Sequence, residues 1–188
     1  VDCYLGLDQS YTAFGISVLF DADHDTSMTG FPSDLYGTGV DRLGRIRGWL
    51  TGRLDQLAAE HTVRHVCMEG YSYGSKLGRE QAGELGVAVK QALRASLPRP
   101  IGYPTVVPPS LLKLYVAGRG NADKDQMLSG VLARWGLDFT AVYGRARAHN
   151  LADAYGLARL AQALDQGSLD PQLRRKLRVH TERPPRHG

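Results

Sequence analysis

Asp8, Glu69 and Asp153 are the residues of this chain whose type and setting point most directly to chemistry. Asp8 ends the apolar run of residues 4–7, Glu69 ends the run 63–68, and Asp153 lies in the stretch 149–154, which reads as helix. An ionised carboxylate beside a buried strand is costly unless something compensates it, and a bound cation is the usual compensation. Carboxylate oxygens suit hard divalent metals. If strand, strand and helix bring the three acids together, the chemistry is metal-dependent phosphodiester hydrolysis. Each acid also has an ordinary reading. Asp8 could form an Asx turn with Ser10, Glu69 could be exposed beyond its strand, and Asp153 could be a polar position on an amphipathic helix.

The elements that must position these acids follow from periodicity and turn residues. Residues 2–8 read as a strand, Gln9-Ser10 as a turn, and 13–20 as a second strand. The acidic stretch 21–26 reads as a hairpin loop, with 28–37 returning as a third strand. From Asp41, Leu43, Ile46, Leu50, Leu54 and Leu57 recur at helical spacing. Residues 63–68 predict a buried strand, 76–96 a helix carrying Leu77, Leu85, Val89 and Leu93 on one side, and 101–107 a fifth strand. Pro108-Pro109 opens a helix over 110–117. Gly118, Arg119, Gly120 and Asn121 break it, and helices over 123–135 and 146–166 follow. The order β-β-β-α-β-α-β-α implies an α/β fold, a mixed five-stranded sheet flanked by helices. That order resembles the ribonuclease H-like architecture.

At 188 residues, one domain over 1–168 is expected, with a core that needs no staples. No stretch approaches the roughly 20 apolar residues that span a bilayer. Residues 1–2 lead straight into a strand with no secretory pattern, so a cytoplasmic protein is expected. Cys3 and Cys67 lie at different distances from their strand-end acids and read as reduced, buried thiols. The formal charge of +4 is concentrated at the end: residues 169–188 carry six Lys or Arg against two acids, leaving the rest formally neutral. Pro184-Pro185 bars regular helix there. The segment 169–188 is expected to be a short helix followed by a disordered basic tail, which either attracts polyanions or only solubilises. No Walker spacing, no zinc-like Cys/His set and no Ser nucleophile elbow is present.

Four local words resemble the RuvC-like Holliday-junction resolvases, in order and at the expected spacing. They are Leu5-Gly6-Leu7-Asp8-Gln9-Ser10 with Phe14-Gly15, Val66-Cys67-Met68-Glu69, the run from Pro108-Pro109-Ser110 through Lys113 to Asp123-Lys124, and Ala152-Asp153-Ala154. The resemblance implies a Mg²⁺- or Mn²⁺-dependent endodeoxyribonuclease with two ions per site, acting on four-way junctions as a homodimer. It places Asp8, Glu69 and Asp153 in the metal shell, with Lys113 and Lys124 beside the scissile strand. The family commonly has Asp or His three positions before the last aspartate. Here Asn150 stands there and His149 one position earlier, so either could be the fourth ligand. This asparagine and the aromatic loop are closer to the phage-borne members than to the chromosomal ones, which would put the protein in a host cytoplasm.

The loop after Glu69 carries Tyr71 and Tyr73 between glycines. Such rings can stack on unpaired bases, or simply pack on the next helix. Arg119, flanked by glycines, could reach a phosphate, and a solvated surface charge is its plain alternative. The helix over 76–96 is either the dimer contact or a buried core helix. Two other functions fit the same residues: a broader structure-dependent nuclease on forks and flaps, and a non-catalytic nucleic-acid-binding module.

Overall fold

In a computed structural model, which describes residues 1–21, 23–70 and 79–181, a five-stranded sheet divides two packed layers of helices. The strands are β1 (Asp2–Asp8), β2 (Ala13–Leu19), β3 (His24–Gly30), β4 (Thr62–Glu69) and β5 (Thr105–Val107). Their spatial order is β3-β2-β1-β4-β5. β1–β2 and β2–β3 pair antiparallel, while β1–β4 and β4–β5 pair parallel. The mixed α/β sheet is therefore as expected. The helices are α1 (Ser33–Tyr36), α2 (Gly39–Glu60), α3 (Arg79–Ser96), α4 (Pro109–Ala117), α5 (Lys124–Trp135), α6 (Phe139–Tyr143), α7 (Arg145–Asp165) and α8 (Pro171–Thr181).

Side chains alternate across the sheet, so each strand feeds two cores. Cys3, Leu5, Leu7, Phe14, Ile16, Val66 and Met68 face α2 and α3, where Ile46, Leu50, Leu54, Val89 and Leu93 close the layer. Tyr4, Leu19, Cys67 and Val107 face the other way, onto α7 and the shell of α4, α5 and α6. The two cysteines are free and buried on opposite faces, with Cys3 level with Val63 and Cys67 level with Gly6.

Four boundaries differ from the sequence reading. β3 begins at His24, because Leu19 already pairs with His24 and the connecting loop is short. β3 ends at Gly30, and α1 takes the place of its expected continuation. β5 is only three residues long: residues 98–103 are turns in which Gly102 N–H bonds Pro98 O and Tyr103 N–H bonds Pro100 O. α6, five residues long, was too short to show a period. The basic segment opens as the 11-residue α8, with Leu169 and Leu177 buried in the α7-side core and Leu173 packed against it. No helix among the described residues is long and apolar enough to cross a membrane.

Candidate active site

Parallel pairing sets the first two acids side by side. Leu7 lies level with Met68, so Asp8 and Glu69 are the next residues at the carboxyl ends of adjacent strands. Adjacent strands run about 4.8 Å apart. Both acids have the parity of Gly6 and Cys67, which aims them at the α7 face.

α7 brings the third. A Cβ at Gly6 would lie 2.1 Å from the Ala154 carbonyl oxygen and 2.4 Å from the Ala158 nitrogen, so the helix backbone rests directly on β1. A Cβ at Gly15, the antiparallel partner of Asp8, would lie 3.2 Å from Asn150 O and 3.3 Å from Asp8 Cβ. Bare strand positions and the alanines of α7 allow this approach. α7 is buried around Asp153 through Leu151, Ala152, Ala154 and Tyr155, which removes the reading of Asp153 as an exposed helix position.

Burial and mutual repulsion govern how the acids titrate. Burial raises Asp8 well above the carboxylate range, and the adjacent Glu69 charge raises it further. Glu69 is pushed up to about 7, first by burial and then by the Asp153 charge. Asp153 is also pushed up to about 7, by burial and then by Asp8. A hydrogen bond links the Asp8 and Glu69 carboxyls, so the pair titrates as one coupled unit above the ordinary carboxylate range. Two cations oppose these shifts. Lys113 on α4 acts on Glu69 and Asp153, and Lys124 at the start of α5 acts on Asp8 and Asp153.

Lys124 is placed by its helix cap. Asp123 accepts the Gln126 N–H at 2.8 Å while the Gln126 side chain accepts the Asp123 N–H at 3.1 Å, a reciprocal capping box. Glu69, Asp153, Lys113, Lys124 and His149 together line a cavity of about 360 Å³. His149 and Asn150 are not equivalent there. His149 lines the cavity, its Nε2 lies 3.9 Å from Asp125, and its Nδ1 is buried without a partner. The Asn150 amide instead donates toward Met28 Sδ on β3 at 3.6 Å. Arg119 is exposed in the α4–α5 turn and does not line this cavity. Tyr71 and Tyr73 lie outside the described residues.

Sequence reasoning passed over Gln9. Its Nε2 donates to the Glu69 carbonyl at 2.9 Å, tying the ends of β1 and β4 together beneath the acids, and its Oε1 is buried without a partner. A polar residue directly after a strand-end acid was the available signal.

The donor set suits a hard divalent cation: buried Asp8 beside half-buried Glu69 and Asp153 at one cavity, a buried orphan nitrogen next to them, and two hydrogen-bonded carboxyls that a cation would separate. As placed, no three His, Cys, Asp or Glu among the described residues form a ready cage. Asp8 and Glu69 satisfy each other instead.

No protein-family model and no curated protein matches the sequence. Solved structures do match. The Thermus thermophilus RuvC in complex with a Holliday junction substrate superimposes with a TM-score of 0.63 at 20% identity, covering 87% of this chain and 95% of that one. The Thermus thermophilus RuvC structure alone gives 0.57 at 19% identity, covering 94% and 95%. The chain thus has the ribonuclease H-like fold in the form found in the RuvC resolvases.

Proposed function

We propose that the protein is a Mg²⁺- or Mn²⁺-dependent endonuclease that cuts Holliday junctions and related branched DNA. The observation that carries this reading is the burial of Asp8, Glu69 and Asp153 in one place at the carboxyl end of the sheet, faced by two lysines. A fold built only for stability has no use for three mutually repelling acids at that depth. Two divalent ions about 4 Å apart would supply water activation and stabilisation of the leaving oxygen in an in-line displacement. Asp8, Glu69 and Asp153 would hold them, with His149 better placed than Asn150 as the fourth donor. Lys113 and Lys124 would hold the scissile phosphate and offset charge developing on it.

A second copy fits the α2–α3 face. Val40 and Val87 are 82% and 56% exposed there, beside a groove of about 350 Å³ that also carries Leu43 and Ala88. Leu85, Val89 and Leu93 of α3 are core while Val87 faces outward, which leaves that side of the helix free for the dimer contact. A C2 pair through this groove would supply two equivalent sites for the paired cuts a junction needs. Val87→Asp should convert a dimer to a monomer in light scattering, and a wild-type monomer at all concentrations sinks this interface.

The test of the activity is cleavage of a panel of four-way junctions, forks, flaps and linear duplexes with Mg²⁺ or Mn²⁺, using Asp8→Asn as control. Cleavage of junctions that vanishes in the variant supports the reading. Equal cleavage of forks and flaps would shift it to a broader structure-dependent nuclease. Binding without cleavage on every substrate would shift it to a non-catalytic module.

A further inference from the structure

The sheet edge beyond β4 carries a second charged feature, away from the carboxylates. The guanidinium of Arg94, near the end of α3, lies 4.6 Å from the centroid of the Tyr103 ring, and that of Arg99 lies 5.3 Å from it. Tyr103 is 44% exposed. It borders a cavity of about 490 Å³ that is also lined by His65, Thr105, Leu177 and Arg174 of α8. Arg175 is exposed next to Arg174 on the same helix. None of the four arginines pairs with a carboxylate among the described residues.

The composition of this ridge indicates what it would take. Stacking on an aromatic ring uses the face of a guanidinium and leaves its N–H fork free, which is how arginine presents bidentate donors to phosphate. Two such forks on one ring, with a third arginine across the cavity, make a preorganised site for a row of phosphates. Its placement suits the same strand that meets the acids. His65 precedes Glu69 by four residues on β4, about 13 Å at the rise of a strand. That is close to four base steps of duplex DNA at about 3.4 Å each.

We propose that Arg94, Arg99 and Arg174, set around Tyr103, form a non-catalytic anchor for the phosphate backbone of a duplex DNA arm leaving the carboxylate end. The proposal rests on the reading of the protein as a DNA nuclease, and it adds a surface from which affinity, rather than chemistry, is drawn. The ordinary alternative is that these charges only guard the free edge of the three-residue β5 against pairing with another chain.

The two accounts separate in the salt dependence of binding. The protein and an Arg94→Gln/Arg99→Gln/Arg174→Gln variant are titrated with a long-armed four-way junction, without divalent metal, from 50 to about 200 mM salt. Each lost phosphate contact lowers the slope of log K against log salt by about 0.9. The expected result is a slope smaller by about two to three, with unchanged circular dichroism. Single-turnover cleavage at saturating junction should stay within about twofold, since the ridge does not touch the reacting phosphate. Because Arg174 is half-buried, the exposed pair Arg94→Gln/Arg99→Gln serves as a second variant, with an expected slope change of about one to two.

An unchanged slope in a folded variant overturns the anchor and leaves edge protection. A slope change seen only with duplex RNA overturns it as well. Absence of metal-dependent cleavage on every branched substrate would instead sink the nuclease reading, while the metal-free binding measurement still decides the anchor.

Discussion

The two faces of the sheet are packed by opposite means. Toward α2 and α3 the strands offer large apolar side chains, and Phe14, Ile16, Ile46, Leu50 and Leu54 keep the helices at ordinary distance. Toward α7 the strands offer Gly6 and Gly15, and the helix answers with Ala154 and Ala158, so backbone meets backbone. The first arrangement stabilises by burying apolar area. The second forgoes part of that area and brings a helix carboxylate beside two strand carboxylates. Apolar burial and the clustering of acids are therefore divided between the faces, and the acids are held together by packing that tolerates their repulsion.

The largest expected effect tests the chemical face directly. Asp8→Asn should lower junction cleavage by about a thousandfold or more, while thermal stability without metal at pH 8 stays the same or rises. A variant that loses activity only because it unfolds would break the assignment. Gly6→Ala should follow, since the added carbon would overlap the Ala154 carbonyl at 2.1 Å. A loss of about 3 kcal/mol or more is expected in denaturant unfolding. Normal stability would show that α7 can retreat without cost.

The next effect is pH-dependent, and its sign follows from the raised acids. Glu69 and Asp153 titrate near 7 in the folded chain, against ordinary values of 4.5 and 3.8. Between about pH 4 and 7 the folded state therefore holds more protons than the unfolded one, so stability falls as pH rises. Without metal, the melting temperature should be higher at pH 5 than at pH 8, at roughly 2–4 °C for each kcal/mol lost. Adding Mg²⁺ or Mn²⁺ should narrow the difference. A melting temperature that rises from pH 5 to 8 without metal would contradict buried, protonated acids.

The smallest effect sharpens the contrast from the other face. Added carbons at Gly44, Gly48 and Gly52 of α2 meet nothing within 4 Å. Gly48→Ala should raise stability by about 0.5–1 kcal/mol through helix propensity alone. A loss instead would show that a second copy already occupies that surface.

The parts of the fold legible in sequence were those with a period or a sharp boundary. Residues 2–8 and 63–68 announced themselves as apolar runs closed by an acid, and α2 by leucines at helical spacing. β3 was misplaced because His24–Gly30 is a polar edge strand with little alternation to read. β5 was overextended because Ile101 looks like strand, whereas Gly102 is drawn into the end of α3. α8 is the short helix expected at the start of the basic segment, but its charges outnumber its few leucines and hide its attachment to the core. Only packing reveals that Leu169 and Leu177 are buried.

The identity and order of Asp8, Glu69 and Asp153 were set by the sequence alone, as were the lysines that follow and the strand–helix alternation that must carry them. Tertiary structure decided which of two neighbouring side chains enters the site. His149 and Asn150 are one residue apart, yet one lines the cavity and the other turns to Met28. A helix rotates each successive residue by about 100°, so one position decides the direction. That direction becomes fixed only when α7 seats on the bare surface at Gly6 and Gly15.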